Sequence, residues 1–303
     1  MADRSIRIGG LTLKNPIIAA SGCFGFGEEY NEFYDVARLG GVCTKGLTRR
    51  PREGNPPPRV FETPCGLLNS IGLQNPGVDA FIREELPMMK EMGLVVIANV
   101  WAECAEEYGE AVEILSRSAV DVIEINISCP NVPGQVIVGA QAQQAAEVVR
   151  RCRSLCDKPL WVKLPPTAQI DAAQAVEEQG ADAICAVNTF RGLAIDIETG
   201  RPIFANTFAG LSGPAIRPLA LQVVYQLAAA VEIPVIGIGG ITSWQDAVEF
   251  IMAGAHAVQI GTANFIDPLA SMKIVEGLQQ FMEDRRLHSW EEIRGCAHEG
   301  SPL

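Results

Sequence analysis

The sequence predicts an α/β protein of the (β/α)8 class: a TIM barrel with an N-terminal β-hairpin and two active-site insertions. Three observations predict it. Eight short β-branched runs recur along the 303 residues, helix-period segments separate them, and the runs end in polar or glycine residues. In a barrel all eight ends converge on one face. The alternative, a doubly wound open sheet, would spread them along an edge, so the polar ends favour the barrel over all of 1–303 as a single domain.

In chain order, "IRIGGLTLKNP" reads as a small hairpin closing the end of the barrel opposite the site. The eight barrel runs are "NPIIAAS" (15–21), "GGVCTKG" (40–46), "LVVIANV" (94–100), "VIEINIS" (122–128), "LWVKLP" (160–165), "AICAVNT" (183–189), "PVIGIGG" (234–240) and "AVQIGT" (257–262). They end at Ser21, Lys45, Asn99, Asn126, Lys163, Asn188, Gly239–Gly240 and Gly261–Thr262. Between runs, Ala105, Tyr108, Val112 and Leu115 repeat with helical spacing, and Ser243 with Asp246 forms a capping box for a helix that stops at Gly254.

Lys45 and Asn99 are 54 positions apart and Asn188 and Gly239 are 51, about twice the other intervals, so two insertions are expected. The first, 47–76, is Pro-rich and basic and ends in "LLNSIGLQNPG". The second, 190–215, reads as a hairpin "LAIDI-ETGR-PIF" followed by "GLSGP". Both begin at the polar face, so both should wall the site.

Composition excludes several functions. A formal charge of −12 disfavours nucleic acid and anionic membrane surfaces as main partners. The longest apolar runs are strand-sized, far short of the ~20 residues that cross a bilayer. The opening "MADRSIRIGG" has no apolar signal core, which leads to an expected cytoplasmic location. Nine cysteines without a C-x-x-C pair fit reduced thiols better than disulfides, zinc or an iron–sulfur cluster.

The glycine-rich ends of the last two barrel runs fit a phosphate site, although tight turns alone would also use glycine there. Lys45 and Lys163 follow apolar residues and point into a desolvated interior, which calls for an anionic partner; a Schiff-base amine is the alternative. Asn69, Asn99, Asn126 and Asn188 offer donors and acceptors without charge, suited to a planar ligand edged with amides or to a flavin ring. His256, His288 and His298 are poorly placed for chemistry. Cys23, Cys43, Cys104 and Cys185 read as small buried hydrophobes. Cys129, past a strand end in "IEINISCPN", is different: it is the candidate general base, a thiol with ordinary pKa ~8.5 that a lysine makes more acidic.

Through "NPIIAASGCFGFGEEY", "LLNSIGLQNPG", "IEINISCPNV", "WVKLPP", "VNTFRG", "GLSGPAIRP", "IGIGGI" and "QIGTANF", the chain resembles the class 1 dihydroorotate dehydrogenases over nearly its whole length. The resemblance implies an FMN-binding barrel of pyrimidine biosynthesis that oxidises dihydroorotate to orotate. It implies FMN contacts at Ser21, Lys45, Gly46, Asn99, Asn126, Lys163, Val187, Gly213, Gly239, Gly240, Gly261 and Thr262. Substrate contacts are implied at Lys45, Asn69, Ser70, Ile71, Gly72, Leu73, Asn126, Asn188 and Thr189, with Cys129 as catalytic base and no metal.

Class 1 contains a homodimeric, fumarate-reducing type and a type paired with an iron–sulfur, FAD-carrying subunit that reduces NAD. "SGCFGFGEEY" and "GLQNPG" look like the second, whereas "NVPG" and "VKLPP" resemble the first. The expectation is the NAD-linked type, homodimeric and paired with that subunit. A dihydropyrimidine dehydrogenase-like barrel, a Schiff-base aldolase and a non-catalytic flavin-binding module are the rival readings.

Overall fold

The computed structural model describes residues 3–128, 139, 141–167 and 170–299. The opening residues form the expected antiparallel hairpin, β1 (Ile6–Ile8) with β2 (Leu11–Leu13), turned by Gly9 and Gly10 at φ 54° and 82°. A Cβ on Gly9 would lie 2.7 Å from the Cβ of Asp182, so the turn sits tightly against the start of a barrel strand, at the N-terminal end of the barrel.

All eight expected runs become strands of one closed parallel barrel. They are β3 (Ile17–Ala19), β4 (Gly41–Cys43), β7 (Val96–Val100), β8 (Val122–Asn126), β9 (Leu160–Lys163), β10 (Ala183–Ala186), β15 (Val235–Ile238) and β16 (Ala255–Ile260), hydrogen-bonded in that order with β16 closing onto β3. Helices at Ala105–Ser116, Ala142–Arg153, Ile170–Glu178, Arg217–Ala228, Trp244–Met252 and Ala270–Arg285 cover the outside. Tyr108, Val112 and Leu115 of the first of these are buried, as their spacing required. The Ser243–Asp246 capping box opens Trp244–Met252, and the chain turns off it through Gly254 at φ 107°.

The two insertions carry the remaining strands, β5 (Val60–Thr63) and β6 (Gly66–Asn69) in the first, β11 (Phe190–Leu193), β12 (Ile195–Asp196), β13 (Arg201–Pro202) and β14 (Phe208–Ser212) in the second. β12 and β13 are the expected hairpin. Beyond that expectation, the insertions join: β14 pairs with β6, giving one antiparallel sheet in the order β11-β14-β6-β5 with its own small core of Leu68, Phe204 and Ala209. Sequence spacing locates insertions but says nothing of pairing between segments 140 residues apart.

Inside the barrel the usual Val, Ile and Leu layers are interrupted by polar side chains. Asn99, Glu124, Lys163 and Gln259 are at most 5% exposed, alongside the buried Cys43 and Cys185. Strand alternation explains the placement: Glu124 and Asn126 share the inward side of β8, and Trp161 and Lys163 share that of β9.

Candidate active site

One cavity opens at the C-terminal ends of the strands, roofed by the insertion sheet. Its wall contains Ser21, Lys45, Gly46, Asn126, Lys163, Val187, Asn188, Thr189, Gly213, Gly239, Gly240, Gly261 and Thr262, and Asn69, Ile71, Gly72 and Leu73 from the insertion. Two predicted positions stand behind this wall. Asn99 is fully buried, and Gly46 packs across it so closely that a Cβ there would fall 2.9 Å from Asn99 Oδ1. Ser70 is buried too, its hydroxyl accepting from Asn55 Nδ2 at 3.1 Å. Cys129 lies outside the described residues, as does the segment 130–138. Its neighbour Ser128 is fully buried, and Gly139 donates its N–H to the Ile127 carbonyl at 2.8 Å.

Lys163 is 5% exposed. Burial is the strongest single influence and pulls its ammonium down, but the Glu124 carboxylate on the neighbouring strand, together with the sulfur groups of Cys43, Cys185 and Cys23, holds it above its ordinary range. Burial pushes the Cys43 and Cys185 thiols well up, with the same carboxylate adding to the effect. They are therefore neutral partners of this polar layer. Cys23, expected to be a buried hydrophobe, lines the cavity; burial raises its thiol while Lys163 and Lys45 oppose the rise. Cys104 is exposed, contrary to expectation, because it occupies the cap position before Ala105–Ser116 and its side chain leaves the helix there.

The glycine-rich wall has local reasons as well as functional ones. Gly239 and Gly240 adopt φ 131° and 72°, and a Cβ on Gly240 would lie 2.7 Å from the Arg217 backbone nitrogen. Close packing of strand end against helix therefore demands glycine. The same close approach bares backbone to the cavity. Next to it, Asp246 accepts from Thr242 N and Ser243 N at 2.9 and 3.0 Å, and Arg217 pairs with Asp246 and Glu249. These two N–H groups, just ahead of the helix, are therefore already used, which leaves the glycine backbone beside them to meet an anion. Opposite, Thr262 Oγ1 donates to Ser212 Oγ at 2.8 Å, tying the end of β16 to the insertion sheet.

Leu73 contributes backbone strain, with a left-handed φ of 58° beside Gly72 at 75° on the cavity wall. Sequence reasoning missed Cys23, Ser212 and Phe265 as lining residues and Glu124 as the charge beneath the floor. A signal for Glu124 existed: an acidic residue inside the apolar run "VIEIN" has no place in a barrel core unless it is partnered. The histidines stay off the wall. Burial and the Arg294 guanidinium hold His256 down to about 4, and His298 stacks on Tyr225.

The arrangement is that of a TIM-barrel enzyme whose pocket combines two lysines, amide side chains and a glycine-rich rim, suited to a planar ligand carrying negative charge. The dihydroorotate dehydrogenase family profile matches residues 5–282, and the chain belongs to that family, an oxidoreductase family. Relatives named dihydroorotate dehydrogenase B (NAD(+)), catalytic subunit, align along nearly their full length. That of Petrotoga mobilis is 52% identical over 298 residues, 97% of this chain and 99% of the relative. That of Bacteroides thetaiotaomicron is 48% identical over 300 residues, 98% and 99% of the two chains, and that of a Thermoanaerobacter species 49% over 293 residues, 96% and 97%.

Proposed function

We propose that this chain is the catalytic subunit of an NAD-linked dihydroorotate dehydrogenase, oxidising dihydroorotate to orotate in pyrimidine biosynthesis with bound FMN. The observation that carries this reading is the convergence of Lys45, Lys163, Asn126 and Asn188 on one cavity beneath the insertion sheet, in a chain whose relatives of that name match it end to end.

The residues present fit FMN. Gly239, Gly240, Gly261 and Thr262 form a side-chain-poor rim for its phosphate, and Ser21, Lys45, Gly46, Asn126, Lys163, Val187 and Gly213 supply the wall for the ring. Asn99 acts from behind Gly46. When bound, FMN supplies the acceptor for the two electrons that leave dihydroorotate as hydride from C6. The protein supplies the rest. Cys129 takes the C5 proton as general base. Lys45, half-buried on the wall, meets the substrate carboxylate, while Asn69, Asn126, Asn188 and Thr189 fix the pyrimidine ring by its amide edges. Lys163, kept charged, offsets negative charge that develops in the transition state. The Ser70–Leu73 segment closes the pocket and excludes water.

The chain carries no G-x-G-x-x-G dinucleotide fingerprint, so NAD reduction is assigned to an iron–sulfur, FAD-carrying partner subunit. A carboxylate-dependent pocket separates this reading from the dihydropyrimidine dehydrogenase-like alternative. Bound flavin should be reduced by dihydroorotate and not by dihydrouracil, which lacks the carboxylate; equal reduction by both would transfer the assignment to that alternative.

A further inference from the structure

A one-way chain of hydrogen bonds runs from the cavity wall to the barrel centre. Thr189 N–H donates to Asn188 Oδ1 at 2.8 Å, and Asn188 Nδ2 donates to Ser128 Oγ at 2.8 Å. Ser128 Oγ donates to Asn126 Oδ1 at 2.7 Å, and Asn126 Nδ2 to Asn99 Oδ1 at 3.4 Å. Asn99 Nδ2 then donates to Glu124 Oε1 at 2.6 Å. From the other side Gln259 Nε2 donates to Glu124 Oε2 at 2.6 Å, and the Cys43 thiol donates to Oε1 at 3.3 Å. Glu124 is fully buried and meets only donors.

A carboxylate has no hydrogen to give, so it fixes the sense of the Asn99 amide, while the Ser128 and Thr189 backbone N–H groups, donating to Asn126 Oδ1 at 3.3 Å and Asn188 Oδ1 at 2.8 Å, hold the outer links in the same sense. Were Asn99 turned over, its carbonyl would face the Glu124 oxygen and its amide would face that of Asn126. Asn126, held by the Ser128 N–H, would then meet a donor with a donor, and its amide would be pushed off its place on the cavity wall. Asn126 and Asn188 each carry a second N–H, and both line the cavity.

We propose that Glu124 is a positioning residue of the site: it terminates this chain and, acting at the inner end while the Ser128 and Thr189 N–H groups act at the outer, holds Asn126 and Asn188 to present N–H donors to the acceptor oxygens of the ligand. It acts through Asn99 and touches no ligand itself. Its charge also faces Lys163, which holds the ammonium of that residue in the protonated form. The inference rests on the functional reading above, since orotate is the ligand whose acceptors these donors would meet.

The test is orotate binding by calorimetry to the FMN-loaded full chain. Wild type that fails to bind orotate would sink the functional reading, whereas an intact wild-type affinity isolates the role of Glu124. E124Q keeps the shape but offers one acceptor oxygen where three donors, from Asn99, Gln259 and Cys43, arrive, and it removes the charge. We expect it to remain folded by circular dichroism, to retain FMN, and to bind orotate about tenfold to a hundredfold more weakly. The exchange variant E124Q/Q259E moves the carboxylate one side chain along. The amide introduced at 124 accepts from Asn99 and donates to the carboxylate introduced at 259, so the sense of the chain returns. It should recover most of the lost affinity. Unchanged orotate binding by E124Q, equal losses in both variants, or failure of E124Q to fold would each overturn the proposal, the last by showing that the carboxylate serves the fold.

Discussion

Asn126 and Lys163 are register partners on adjacent strands β8 and β9, so an amide and an ammonium leave the barrel wall at one level and reach the same cavity. An uncharged pair at this level would bind a neutral ring equally well. A retained, buried positive charge suits a site where negative charge grows during reaction.

Replacing Lys163 by Met should therefore leave a folded barrel, since the methylene stem is replaced by a stem of similar length. Flavin reduction by dihydroorotate should slow by ~10²–10³, the usual effect of losing one stabilising group. Stopped-flow reduction of the variant checks this, and an unchanged rate would remove Lys163 from the chemistry.

Cys129→Ala is expected to keep FMN and orotate, since the proposed contacts to both are made by the lysines and asparagines and not by residue 129. Proton abstraction should suffer, with reduction slower by ~10²–10⁴. Cys129→Ser should be comparably slow near neutrality and regain rate as pH rises, because a hydroxyl accepts protons poorly until ionised. A rate independent of residue 129 would leave the base unassigned.

Gly240→Ala places a methyl 2.7 Å from the Arg217 backbone nitrogen at a φ of 72°. Both the contact and the dihedral oppose it. Urea unfolding should show a loss of ~1–3 kcal/mol, accompanied by weaker FMN binding as the rim shifts. Stability equal to wild type would mean that the strand end has room to adjust.

His256 gives a pH dependence unconnected with catalysis. Its folded pKa of about 4 lies below the ordinary 6.5, held down by burial first and by Arg294 second. Between those values the unfolded chain binds a proton that the native protein refuses, so stability falls as pH falls from 6.5 towards 4. At pH 5 this one group costs about 2 kcal/mol relative to pH 7. His256→Gln should lose less stability than wild type over that interval in parallel urea titrations; identical pH slopes would dismiss the assignment.

The barrel was legible because each strand is short, apolar and ends in a residue that an apolar interior does not tolerate, as in "LWVKLP" with Lys163. Local signals also located the Ser243 cap and the Ile6–Leu13 hairpin. The union of β6 with β14 was not legible, since pairing between distant insertions depends on where the barrel delivers them. On the site, strand ends located Ser21, Lys45, Asn126, Lys163, Asn188, Gly239, Gly240, Gly261 and Thr262, whereas Gly46, Ile71, Gly72, Leu73, Val187, Thr189 and Gly213 came with the family resemblance. Glu124 came from neither, because its role depends on partners from three other strands, Cys43, Asn99 and Gln259, that no sequence window contains together. Asn99 and Ser70 are buried beside the cavity, against Gly46 and Asn55, and that packing depends on neighbours distant in sequence.

The central claim is that this chain carries FMN and passes dihydroorotate electrons to it. Its most direct measurement is the visible spectrum of the purified protein, mixed with dihydroorotate in the absence of oxygen. The purified protein should be yellow, with one FMN per chain whose flavin absorbance is lost on mixing, and orotate should form in equal amount. Protein that neither contains nor takes up FMN, or flavin that keeps its oxidised spectrum with dihydroorotate present, would contradict it.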